Sequence, residues 1–346
     1  MAIMDVTIYG AGIFGLSVAW SCVKRGAKVR VIDPHGVGAG SSGGLVGALA
    51  PHVPERWNTK KAFQFDSLIM AEEYWAEVEA VSGLSSGYGR TGRLQPIADA
   101  RQLALARDRK AEAATLWQGK AVWDVRPVSD FPGWAPDSPT GYLIHDTLTA
   151  RMNPRFAAKA LAGAVQAKGG EIAQEGREEG RVVWATGWQG LLDLSQELGK
   201  PVGNGVKGQS ALLQHEAAHL PQLFADALHI IPHANGTVAI GSTSEREFDD
   251  PASCDAALDD IIAGARAICP AIADAPVIDR WAGVRPRAKS RAPMLGHYPG
   301  RSGHFIANGG FKIGFGMGPK VGEVMADLVL EGRDTIPEDF RVEASF

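Results

Sequence analysis

Cysteine is scarce in this sequence: Cys22, Cys254 and Cys269 are the only three among 346 residues. So few, so widely spaced, they build neither a disulfide framework nor a metal knot. Cys22 falls within an apolar helical pattern, which fits a buried, inert thiol. Excess charge is missing too. The formal net charge is −4 and 21% of residues are charged, so composition advertises no nucleic-acid or membrane surface. No apolar run approaches the length that spans a bilayer. The opening MAIMDVTIYGAG lacks a basic stretch followed by an unbroken apolar segment, so no secretory leader is expected and the expected location is the reducing cytoplasm. Internal repeats and low-complexity stretches are absent. What the chain has in plenty is glycine, 42 residues, many of them clustered. Its length suffices for a sizeable core and suits two lobes.

The first cluster carries the strongest signal. Val6 to Tyr9 is a short apolar run suited to a buried parallel strand. Gly10-Ala11-Gly12-Ile13-Phe14-Gly15 follows, then an apolar helical pattern through Leu16, Ala19, Trp20 and Val23. Gly26 ends that helix, and Lys28 to Ile32 forms a second strand closed by Asp33 and Pro34. Gly10 suits the tight turn, Gly12 admits a pyrophosphate to the backbone, and Gly15 lets helix and strand pack closely. The helix start offers free N–H groups and a positive dipole end. Asp33, about twenty residues beyond the glycines, can accept from both ribose hydroxyls and would repel a 2′-phosphate. Strand, turn, helix, strand and acid in that order read as a dinucleotide site.

Which dinucleotide depends on residues 36 to 51, Gly-Val-Gly-Ala-Gly-Ser-Ser-Gly-Gly-Leu-Val-Gly-Ala-Leu-Ala-Pro. A simple nicotinamide fold would enter its next helix here. Instead small residues supply hydroxyls at Ser41 and Ser42, and Gly43 and Gly44 let backbone approach a ligand closely. The apolar tail from Leu45 to Pro51 argues against a fully solvated loop. FAD is the expected cofactor.

With these segments in view the sequence resembles the D-amino acid oxidase superfamily of FAD-dependent oxidoreductases, which includes glycine oxidase and sarcosine oxidase. The resemblance rests on GAGIFG, the GAGSSGG–GALAP segment, VVWATG at 182–187, HIIPHANGTVAIGSTSE at 229–245, WAGVRP at 281–286 and ANGGFKIGFGMGP at 307–319. The GALAP form also resembles the flavin domain of the bacterial bifunctional enzyme that modifies tRNA wobble uridine, whose methyltransferase half has no counterpart here. The resemblance implies an α/β fold: a Rossmann-type FAD-binding lobe and a second substrate lobe of mostly antiparallel strands plus helices. The lobes are expected to be discontinuous, with 1–80, 146–200 and 281–346 forming the FAD lobe and 81–145 and 201–280 the substrate lobe.

Local signals fill in the rest. Thr59 to Val81 and residues 101 to 117 read as helices, the first amphipathic. Trp123 to Pro139 reads as loop or short strand. Asn153-Pro154 starts a helix that Gly169-Gly170 ends. Ala227 to Ile231 and Thr237 to Gly241 flank Ala-Asn-Gly as a hairpin. Asp255 to Ile268 is a helix stopped by Pro270. Gly314 to Pro319 reads as a turn that opens a helix through Leu330. By resemblance Ala185, Thr186, Gly187 and Trp188 approach the adenosine half of FAD, and Gly309, Gly310, Phe311, Lys312, Ile313 and Gly314 approach the flavin.

The chemistry implied is hydride transfer to flavin from a carbon next to an amine nitrogen, giving an imine that hydrolyses. The substrate would be a small amino acid or secondary amine and the electron acceptor oxygen. Arg285 is expected to fork onto a substrate carboxylate, as the Arg of the similar GxRP motif does, the alternative being a structural ion pair. Lys312 reaches either flavin or substrate, or is a plain surface lysine. Arg287, Lys289 and Arg291 read as a solvated basic face, the alternative being use by a larger anionic substrate. His229 and His233 stand where glycine oxidase carries Tyr and Arg, so His229 is either substrate-facing or a structural strand residue. His52 follows GALAP at a position that faces the flavin ring in relatives, with Arg56 at the rim. The cysteine that binds flavin covalently in sarcosine oxidases has no counterpart after WAGVRP, so noncovalent FAD is expected, and no metal. Rival readings are a dehydrogenase with another acceptor, oxidation of a modified tRNA base, or a flavin-binding protein without turnover.

Overall fold

The computed structural model describes residues 3–346. The chain opens as β1 (Val6–Tyr9), α1 (Ile13–Lys24) and β2 (Val29–Ile32). Past the glycine-rich loop come β3 (Ala48–Leu49) and α2 (Thr59–Ser82). Asn58 caps α2 by accepting from the Lys61 N–H, and left-handed Gly83 ends it. Next are β4 (Arg93–Pro96), α3 (Ala100–Leu116), β5 (Trp123–Pro127), β6 (Tyr142–Asp146) and β7 (Ala150–Arg151). α4 (Pro154–Ala167) starts where Asn153-Pro154 places it, with the Asn153 side chain accepting from the N–H groups of Arg155 and Phe156. β8 (Glu171–Ala173), β9 (Arg181–Trp184) and α5 (Gly187–Glu197) lead to β10 (Gly203–Gln214), β11 (Gln222–Ala225), β12 (Leu228–Pro232) and β13 (Thr237–Gly241). α6 (Ala256–Ile268), β14 (Val277–Ala288), β15 (Met294–His297), β16 (His304–Asn308) and α7 (Gly314–Ala326) complete the order.

Two large sheets result. One has the order β15-β16-β9-β1-β2-β8 and is parallel except for β15. The other runs β14-β10-β13-β12-β11-β4-β6-β5 and is antiparallel except where β11 meets β4. The parallel sheet carries the near-continuous apolar strands such a sheet requires, and α1, α2, α4 and α7 pack together beside it around Trp20 and Trp75. α6 fills one face of the antiparallel sheet, meeting Leu213, Leu223, Ile230, Val238 and Ile240 in a second core. The opposite face of that sheet is left for the site.

The lobe boundary drawn at 281 falls inside β14, all of which belongs to the antiparallel sheet. The supposed turn from Gly314 to Pro319 is already helix. Small residues there trade helix propensity for proximity: a Cβ on Gly322 would lie 2.5 Å from the Ser17 carbonyl oxygen of α1. Close helix packing overrides the local breaker signal.

Candidate active site

The loop between β1 and α1 is shaped by contacts that exclude side chains. Gly10 has φ +104°, and a Cβ there would lie 2.3 Å from the Ala185 carbonyl oxygen of the neighbouring β9 turn. A Cβ on Gly15 would come within 1.9 Å of the Gly10 carbonyl oxygen. Helix α1 is capped from a distance, because Ser42 Oγ accepts from the Ile13 N–H at 3.0 Å. The Asp33 carboxylate accepts from the N–H groups of Ala11 at 2.8 Å and His35 at 3.0 Å. It therefore braces the glycine loop itself, and each oxygen keeps lone-pair capacity for a ribose hydroxyl.

From this loop a cavity of about 690 Å³ runs to the open face of the antiparallel sheet. Its near end is walled by Gly10, Gly12, Ile13, Phe14, Asp33, Pro34, Ser41, Ser42 and Gly44, with Ala185, Thr186, Gly187 and Trp188 from the β9 turn. Gly310, Phe311, Lys312 and Gly314 stand farther along. Side-chain-free backbone, a helix N-terminus and an acid after β2 make a donor and acceptor set that fits an extended dinucleotide such as FAD.

Strand register builds the far end. Trp281 pairs with Ser210, Ser210 with Gly241, Gly241 with His229 and His229 with Phe224. Cross-strand partners share a face, so these five form one row, and four of them, all but Gly241, line the cavity. Gly241 leaves room for Val46, whose Cγ2 would be 2.9 Å from a Cβ there, and so the glycine-rich loop rests on the sheet. Arg285 lies on the same face of β14 as Trp281 and Gly283. Its guanidinium donates to Ser242 Oγ at 2.6 Å and the Thr243 carbonyl at 3.3 Å. Burial pushes its pKa down to about 10, with the Glu245 carboxylate pulling the other way. Glu245 is itself held by Gln209 Nε2 at 3.1 Å and by the Thr243 hydroxyl, with Lys207 Nζ at 3.6 Å.

His229 has an Nδ1 with no hydrogen-bond partner, and its pKa is pushed down to about 3. Burial is the main cause, followed by the positive charges of Arg93, Lys312 and Arg285. The ring is therefore neutral at working pH. Phe224 sits 4.6 Å away, centroid to centroid, and the Arg93 guanidinium stands 5.9 Å from the Phe224 ring. Lys312 is accessible from the cavity, and desolvation, Arg285 and Arg287 together lower its pKa.

His52 is not brought into this group. Its backbone N–H donates to Gln64 Oε1 at 2.8 Å and its Nδ1 is also hydrogen-bonded to that oxygen, fastening the post-GALAP segment to α2. Arg56 is likewise outside the lining, on a left-handed backbone with φ 43°. Gly15, Gly43, Gly309 and Ile313 serve packing rather than lining: Gly43 closes on the Gly38 carbonyl, Gly309 on Ala288, and Ile313 precedes α7 and packs on the core. Cys254 and Cys269 lie outside the cavity wall too. Ser210, Phe224, Ser242, Val46 and the supports of Arg285 escaped the sequence reading. Only the alternation of Trp281, Gly283 and Arg285 along β14 hinted at a shared face.

The sequence profile of the family described as DAO, FAD dependent oxidoreductase, matches residues 5–328. The bifunctional protein ThiO/ThiG of Nostoc sp. is 26% identical over 94% of this chain, which spans about half, 53%, of that longer protein. Glycine oxidase of Pseudomonas aeruginosa is 25% identical, with 96% of each chain covered. The crystal structure of glycine oxidase from Geobacillus kaustophilus superposes with a TM-score of 0.84 at 21% identity, covering 98% of both chains.

Proposed function

Because the chain belongs to the DAO family of FAD-dependent oxidoreductases, we propose that it oxidises the C–N bond of a small amino acid or secondary amine. The bond becomes an imine, which water hydrolyses to a carbonyl compound and an amine or ammonia. The observation that carries this reading is Arg285, a guanidinium fixed in the cavity wall by neutral partners, with no carboxylate oxygen of the described residues within 4.0 Å of it. Such a group favours a ligand carboxylate, and two parallel N–H bonds fix its orientation.

FAD would be held noncovalently by the Gly10–Phe14 loop, Asp33, Ser41, Ser42 and the Ala185–Trp188 turn. Bound there, it supplies the two-electron acceptor. The remaining work falls to the protein. Arg285 anchors the carboxylate and so presents the α-carbon in one orientation. Neutral His229 adds no charge beside the amine and cannot serve as a base of ordinary strength, so the amine gives up its proton to water on entry. Trp281, Phe224 and Val46 keep the reacting end dry. The start of α7, in the same wall, favours negative charge there through its dipole. Oxygen, taking the electrons on to hydrogen peroxide, balances the cycle.

Incubating the purified protein with glycine, sarcosine, proline and D-amino acids tests the reading. One of them should yield carbonyl product and peroxide in equal amounts. Carbonyl product without peroxide assigns a different acceptor, and neither product from any of them contradicts the proposal.

A further inference from the structure

Charge around the cavity is lopsided. Among the described residues the only carboxylate in its wall is Asp33, at the dinucleotide end and engaged with Ala11 and His35. The sheet end holds Arg285 and Lys312 and no acid. Neighbouring cations behind the wall are compensated: Arg93 Nε meets Asp146 at 3.0 Å, and Lys207 faces Glu245. Arg285 and Lys312 have no such direct partner, Glu245 acting on Arg285 only from beyond ion-pair distance. Among the described residues neither has a carboxylate oxygen within 4.0 Å, and Lys312 makes no side-chain hydrogen bond. Arg287 adds a third positive charge nearby, its guanidinium 5.6 Å and Lys312 Nζ 5.7 Å from the same Phe311 ring centroid. One carboxylate on Arg285 leaves this end of the cavity positive, and partly desolvated like charges repel strongly.

We propose that the site recognises a dianionic amine, with one carboxylate on Arg285 and a second anionic group on Lys312. Iminodicarboxylic and aminodicarboxylic acids have this chemistry. The inference rests on the amine-oxidation reading above and narrows its substrate class. Lys312 suits the outer anion because it is a mobile point charge with three donors, whereas Arg285 is a fixed fork. Arg287 reinforces Lys312 from behind Phe311 without lining the cavity. Neutral His229 adds no further positive charge to this end of the cavity.

The test uses two ligands of similar shape that contain no oxidisable amine: thiodiacetate, with two carboxylates, and methylthioacetate, with one. Each is titrated into the FAD-loaded protein, and the change in the flavin visible spectrum gives Kd. Thiodiacetate should bind at least about tenfold more tightly, the scale of one charge-assisted contact. Lys312→Met should weaken thiodiacetate far more than methylthioacetate, bringing the two Kd values within about twofold of each other. Arg285→Met should weaken both. Equal binding by the wild-type protein overturns the dianion inference. So does parallel weakening of both ligands by Lys312→Met, which would mean that Lys312 serves the cofactor or shares a single carboxylate. In either case Arg285-dependent methylthioacetate binding leaves the amino acid reading standing. Failure of the wild-type protein to bind either ligand overturns both.

Discussion

The guanidinium of Arg285 occupies the space over Gly208: a Cβ built on Gly208 would lie 2.0 Å from one terminal nitrogen and 2.3 Å from the guanidinium carbon. Gly208 pairs with Gly283 across β10 and β14; the space over Gly283 is taken by the Trp281 ring, and bare Gly208 lets the arginine lie down along the sheet toward Ser242 and Thr243. Gly208→Ala should push the far end of a flexible side chain aside without unfolding the sheet. FAD content is expected to stay at the wild-type level while affinity for a carboxylate ligand falls about tenfold, the worth of one misplaced charge-assisted bond. Flavin-perturbation titrations measure both, and unchanged ligand affinity would show that Arg285 tolerates displacement.

Removing the guanidinium altogether should do more. Arg285→Leu is expected to raise the apparent KM for a carboxylate-bearing amine by roughly ten- to a hundredfold, with FAD still bound. Steady-state kinetics beside a flavin count per protein checks this. Wild-type KM would leave the arginine a structural role only.

Asp33 does two jobs with one carboxylate, bracing Ala11 and His35 while facing the cavity. Asp33→Ala should weaken FAD binding by about tenfold or more through loss of the loop brace and the acceptor together. Wild-type protein denatured in acid should release all its flavin into the filtrate, since neither Cys254 nor Cys269 lines the cavity. Flavin retained on the precipitated chain would contradict noncovalent attachment.

Two buried imidazoles link stability to pH. His229 and His233 hold pKa values of about 3 and about 4, burial being the first cause in each. Above the ordinary imidazole value near 6.5, both are neutral in the folded and the unfolded chain, and stability is undiminished from this source. Below it the unfolded chain takes up protons that the folded chain refuses, so stability falls as pH falls toward about 4. Urea midpoints from about pH 7.5 to about pH 4.5, at fixed excess FAD, should drop less for His229→Gln/His233→Gln than for wild type. Parallel slopes would remove these histidines from the account.

The sequence announced the dinucleotide end because its signals are local. Gly10, Gly12 and Asp33 sit at spacings set by one strand, one turn and one helix, and no distant pairing is needed to read them. The substrate face is different in kind. Phe224, His229, Gly241, Ser210 and Trp281 converge only through the register of five strands, which a single chain of letters does not display. Gly208 looks like any strand glycine until Arg285 is seen lying on it. His52 was drawn to the site by its place after GALAP, yet Gln64, twelve residues on, claims its ring. The start of α7 hid behind Gly314 and Pro319, residues that helices usually avoid, because packing against α1 decides the matter.

An anaerobic visible spectrum, recorded while amines and amino acids are added to the purified protein, tests the central claim most directly. The account predicts a yellow protein whose flavin band bleaches with one of them, a carboxylate-bearing amine, and stays bleached until oxygen is admitted. A protein that remains colourless after incubation with FAD, or a yellow one that no amine bleaches, would contradict it.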